Sequence, residues 1–127
     1  MPGTTQPETV LEIERYGVYW VNLDPVIGRE MAKRRPAVIV SDQAMNRYLG
    51  TVVVCPLTST RHSRWRSRVA CTVGGIEGEI AVDQIRTVSR ARLGDKVGQI
   101  DNTAAASVRH IITEMYGVLS LSTTEAT

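Results

Sequence analysis

Lys33, Arg34 and Arg35 stand side by side directly before Pro36, and the apolar run AVIVS (residues 37–41) follows. Guanidinium stays charged at any working pH and matches phosphate oxygens with a bidentate fork, so chemistry at phosphate suits this group. Pro36 fixes its own φ and disfavours helical geometry at Arg35. Arg35 therefore sits on a stiffened backbone at the mouth of a strand, the kind of rigid mount a catalytic cation needs. A solubilising turn is the competing reading of the tripeptide alone. Thr58 follows Pro56-Leu57 where a second apolar run emerges into a basic segment. Its hydroxyl is placed to donate to a phosphate oxygen, or simply to form a local turn. In that segment, STRHSRWRSR (59–68), Trp65 lies among Arg61, Arg64, Arg66 and Arg68. An aromatic among arginines is the pattern of a single-strand-binding loop, a stacking platform inside an electrostatic funnel. The alternative is a Trp packed down as the loop's own anchor.

Other chemistries find little support. Asp24, Asp42 and Asp83 are scattered, and none has a spacing that implies a shared metal ion. His110 and Glu114 are placed as an ordinary exposed helical pair, with no third ligand in view. GGIEGE (74–79) lacks the Lys-Ser/Thr end of a phosphate-binding loop and does not open onto a helix. Ser63 beside His62 has no evident carboxylate partner. No cofactor is expected.

The elements that must carry Arg35 and Thr58 read as follows. YGVYWVNL (16–23) is a strand ended by Asp24-Pro25, and 26–35 is a loop. Residues 37–41 and 51–57 are strands buried on both faces, joined through a short helical turn beginning near Asp42. After the loop 59–68 come a strand at 69–73, a Gly-rich turn at 74–79, a strand over 80–88, a basic turn at 89–96 and a short strand at 97–100. Asp101 or Asn102 caps a helix whose apolar stripe is Ala104, Val108, Ile111, Ile112, Met115 and Leu119. Short strands with one packing helix predict a mainly β (α+β) fold, a small and strongly curved barrel-like sheet.

At 127 residues, 43% hydrophobic and 22% charged, the chain has the size and balance of one globular domain. We expect a loose arm over 1–14, a single domain over 15–121 and a flexible tail over 122–127. The net charge of +2 hides segregation: residues 29–96 hold 13 of the 15 Lys and Arg against 6 acids. Such a basic middle points to a polyanionic partner, nucleic acid first. The N-terminal residues have no secretory signal pattern, and no apolar run reaches the roughly 18 residues needed to span a bilayer. A cytoplasmic protein with no membrane partner is expected, with Cys55 and Cys71 as buried free thiols.

Three linked motifs, VYWVNLDPVIGREMAKRRPAVIVSD, TVVVCPLTS and VDQIRTVSRARLG, resemble in order and separation those of the MazF/PemK family. That family comprises the toxin components of toxin–antitoxin pairs that act as mRNA endoribonucleases. The resemblance covers about residues 15–119. It implies an SH3-like curved barrel of the CcdB/PemK type with a C-terminal helix, a homodimer, a single-stranded RNA substrate and a cognate antitoxin with an acidic flexible tail. It also implies that Arg35 and Thr58 are the catalytic pair, and that Glu30 and Asp83 lie near the site. Arg29, Arg34, Ser59, Arg61, Trp65, Gln84 and Arg86 join these two as expected substrate-binding residues. Departures are Arg15-Tyr16-Gly17-Val18 for R-G-D-V, Arg29 in a slot often Ser or His, and Ala81 where some members carry arginine. The implied chemistry is attack of the RNA 2′-hydroxyl on the adjacent phosphate without metal, leaving a 2′,3′-cyclic phosphate and a 5′-hydroxyl. A non-catalytic gyrase poison of the CcdB kind, or a simple nucleic-acid-binding module, is the rival.

Overall fold

The two apolar runs become the centre of a single antiparallel sheet. A computed structural model describes residues 12–117 apart from 26, 32 and 63. Its strands are β1 Gly17–Asn22, β2 Arg34–Ile39, β3 Thr51–Thr58, β4 Arg68–Val73, β5 Ile76–Ala81, β6 Arg86–Ser89 and β7 Leu93–Gln99. Helix α1 (Gln43–Tyr48) joins β2 to β3, and helix α2 (Asn102–Tyr116) follows β7. The sheet order is β4-β5-β3-β2-β1-β7, with β6 also paired to β3. β3 is the hub. One side pairs with β2, and the other is shared between β6 along Thr51–Val54 and β5 at Leu57 and Thr58.

Both faces of this hub are covered, which is why its sequence is apolar without alternation. Val38, Cys55 and Ile80 pack with Ala104, Ala105 and Val108 of α2, while Ala37, Ile39 and Val54 pack with Tyr19, Val21 and Leu23 on the opposite face. The outer strands close toward each other: a Cβ added at Gly98 would lie 2.7 Å from Val73 Cγ1, and one at Gly74 2.7 Å from the Val97 carbonyl. The sheet is thus a curled half-barrel with the helix against one side.

The helix boundaries follow their caps. Asp42 accepts from the Met45 amide at 2.7 Å and Asp101 from the Ala104 amide at 2.8 Å, each quenching a first-turn donor. Met115 departs from its expected place in the apolar stripe: it is 42% exposed. Leu119 and the tail 122–127 lie outside the described residues, as do residues 1–11 of the expected arm.

Other expectations also need correction. Residues 12–14 are tied down rather than loose: Glu12 meets Arg47 at 2.6 Å, Glu14 meets Lys96 at 2.5 Å, and Ile13 packs against the second core. The Gly-rich turn is only Gly74-Gly75, both at positive φ as a two-residue hairpin requires, and β5 starts at once with Ile76. The run 80–88 is not one strand. A 3-10 turn at Val82–Gln84 breaks it and moves the chain from β5 to β6. The basic segment 89–96 is a 3-10 turn at Arg90–Arg92 that leads directly into β7.

Candidate active site

Register brings Arg35 and Thr58 together. β2 and β3 pair antiparallel through Ala37↔Pro56, Val38↔Cys55 and Ile39↔Val54. Carried on past that paired stretch, the same register runs Arg35 of β2 toward the end of β3 that bears Thr58. The two residues line one hollow of about 420 Å³, together with the expected Arg34 and Ser59.

The backbone around them is firmly specified. Lys33 takes a left-handed φ of 69°, turning the chain into β2 immediately before Arg34 and Arg35. Its amide donates to Asp24 Oδ1 at 2.9 Å and its carbonyl accepts from Leu23, which holds that turn. Arg34 lies over the Trp20 ring, 4.9 Å from the centroid, in a cation–π contact. Thr58 is 7% exposed, and its Oγ1 accepts from the Thr60 amide at 3.1 Å. That leaves the hydroxyl proton to donate elsewhere. Gly78 lets β5 approach: a Cβ there would stand 2.6 Å from the Thr58 carbonyl oxygen.

The remaining expected residues are placed around this centre rather than in it. Arg29 and Arg61 are exposed. Glu30 Oε1 accepts from the Ile27 amide at 2.8 Å within its own turn. Gln84 Oε1 accepts from the Met31 amide at 3.3 Å, and Arg86 donates to the Leu23 carbonyl at 3.3 Å, so both fasten the loop before β2. Asp83 accepts from Ser67 Oγ and from Arg68 Nε, each at 2.8 Å. Burial alone would raise the Asp83 pKa, but the hydrogen bonds from Arg68 and Ser67 outweigh it and hold the group below the usual aspartate range. Trp65 is 48% exposed, yet its ring is covered from within its own loop. His62 stacks on it at 3.8 Å with planes 7° apart, and the Arg68 guanidinium lies 4.6 Å from its centroid.

Residues unforeseen from sequence complete the surroundings. Trp20 and Glu77 line the hollow. Glu79, 3% exposed, pairs directly with Thr58 across the β3–β5 ladder. Its signal was the alternation Glu77-Gly78-Glu79 running into Ile80, which marks a strand and not a turn. Ala81 lies directly across from Arg68 in the β4–β5 register. Among the described residues, no three His, Cys, Asp or Glu side chains converge as a metal-ligand set.

Residues 14–116 match the family described as PemK-like, MazF-like toxin of type II toxin-antitoxin system. The chain belongs to that family. It is 32% identical over 114 residues to the endoribonuclease PemK of Escherichia coli, spanning 86% of this chain and 80% of that one. It is 30% identical over 95 residues to the endoribonuclease EndoA of Bacillus subtilis, spanning 71% and 82%. The crystal structure of MazF from Deinococcus radiodurans superposes with a TM-score of 0.77 at 26% identity, covering 86% of this chain and all of that one. The half-barrel and its C-terminal helix are therefore the MazF/PemK toxin fold.

Proposed function

We propose that this MazF/PemK-family chain is the toxin of a type II toxin–antitoxin pair and an endoribonuclease that cuts single-stranded RNA. The observation that carries the reading is the shared hollow of Arg35 and Thr58 at the ends of β2 and β3. The similarity to two proteins named endoribonucleases supports the activity. The segregated basic charge of residues 29–96 supports a polyanionic substrate.

In this reading the 2′-hydroxyl attacks the adjacent phosphorus, the bond to the 5′-oxygen breaks, and a 2′,3′-cyclic phosphate remains. Arg35 meets the phosphorane as it gains charge and donates an N–H toward the leaving oxygen, while the Thr58 hydroxyl donates to a second phosphate oxygen. Preorganised donors of this kind are worth about 3–4 kcal/mol each in other enzymes. Arg35 is unsuited to accept the 2′-proton, because guanidinium has almost no neutral form at neutral pH. Asp83 is held low by Arg68 and Ser67 and accepts a proton poorly. In this reading the 2′-proton passes to solvent and the leaving 5′-oxygen takes one up, so that catalysis rests mainly on positioning and charge.

The partners follow the same reading. Several structures with this fold are complexes of MazF with MazE, or of an endoribonuclease with its cognate antitoxin. An antitoxin with an acidic, flexible segment suits the cation-rich stretch 29–96 of this chain. A homodimer and a cytoplasmic location complete the proposal. No helix among the described residues is long and apolar enough to cross a membrane.

The test is cleavage of a long RNA in EDTA by the wild-type chain and by Arg35→Ala. Wild type should leave cyclic phosphate ends with metal chelated, and the variant should lose cleavage by about 100-fold or more while its circular dichroism is unchanged. A DNA of the same sequence should remain intact, since it lacks the attacking hydroxyl. Full activity in the variant would remove Arg35 from the chemistry. Intact RNA with blocked DNA supercoiling would favour the gyrase poison.

A further inference from the structure

A buried ion cluster lies directly behind the loop that leaves Thr58. Arg68 and Glu79 have side chains only 6% and 4% exposed, with Nη1 and Oε1 3.8 Å apart. Nη1 makes no hydrogen bond among the described residues, so charge alone joins it to Glu79. Burying two ions is costly, and such a pair adds little stability over apolar packing; what it can supply is a unique arrangement. The arrangement here is specific. Glu79 Oε1 accepts from the His62 amide at 2.8 Å, pinning the first half of the loop. The Arg68 guanidinium lies under Trp65, and His62 stacks on the same ring, pinning the second half. Asp83 holds Arg68 from the other side through Nε at 2.8 Å. Glu79 is also the ladder partner of Thr58. One residue thus pairs through its backbone with the strand that carries Thr58 and through its carboxylate with the basic loop.

We propose that Glu79, with Arg68, is a positioning residue that presets the loop 59–68 for selecting the RNA sequence to be cut. The proposal rests on the endoribonuclease reading and deepens it. The His62 backbone and the Trp65 ring are held before RNA arrives, so base selection at these points does not wait on an induced fit. Removing the brace should leave Arg35 and Thr58 able to cut but loosen the surface that chooses where.

The experiment compares wild type, Glu79→Ala and Glu79→Gln on one long RNA for the map of cuts, and on a single-site oligonucleotide for kcat and KM. Glu79→Ala should raise KM about tenfold and cut at sites the wild type spares, with kcat at the preferred site within about threefold. Glu79→Gln keeps an acceptor for the His62 amide but loses the charge facing Arg68, so it should shift the same way by less. An unaltered cut map and KM would overturn the proposal. So would a fall in kcat at constant KM, which would place Glu79 at the chemical step. Should Glu79→Ala fail to fold, Glu79→Gln decides between the same outcomes. Wild-type chain that leaves RNA intact defeats the endoribonuclease reading itself; wild-type cleavage with unaltered variants defeats only the brace.

Discussion

Asp83 shows how much of a side chain's role is set by its neighbours. Arg68 and Ser67 hold its pKa below the usual aspartate range in the folded state. The folded chain therefore binds that proton less readily than the unfolded chain. The resulting stability is fully present above the unfolded aspartate value, near about 3.9, and is lost as pH falls through the lower folded value. Asp83→Asn should cost about 1–3 kcal/mol in urea unfolding at pH 7, and the gap to wild type should shrink as the pH is taken toward 2. A gap that stays constant across that range would mean the charge of Asp83 contributes nothing. Arg35 belongs at this scale too: its backbone restriction by Pro36 was legible in two adjacent letters. The engagement of Asp83 was not, because Arg68 and Ser67 sit in a segment with no local pattern linking them to it.

Strands succeed or fail as sequence readings by their periodicity and punctuation. β1 was expected over 16–23 and occupies Gly17–Asn22, because aromatic and β-branched residues end at Asp24-Pro25. The α2 cap at Asp101 was equally plain. The region 74–96 was not, because glycines and charges in it look like turn residues until their partners are known. Gly78 is an example. It reads as a breaker, but in β5 its bare Cα is what allows the Thr58 carbonyl to approach. Gly78→Ala should destabilise the fold by about 1–3 kcal/mol and lower RNA cleavage more than about tenfold by displacing Thr58. Gly50→Ala is the control, since a Cβ there meets nothing within 4 Å. Equal thermal midpoints and rates for the two variants would show that the close approach is not required.

Across the whole molecule the charges are sorted, with 13 of 15 cations in residues 29–96. If the cations of that stretch meet an RNA backbone, affinity for an uncleavable oligonucleotide carrying a 2′-deoxy group at the cut site should fall linearly on a log–log salt plot. The expected slope is about −0.7 per phosphate contacted. Affinity indifferent to salt would rule out the electrostatic footprint. This charge bias, the stiffened Arg35, the threonine at the end of a strand and the family likeness all came from residue order, since each depends on composition or on near neighbours along the chain. That Arg35 and Thr58 share a hollow, and that Glu79 and Arg68 meet beneath Trp65, came only from tertiary structure. Those meetings depend on strand register and on the turn at Val82–Gln84, which arise from pairing between distant segments and leave no local mark.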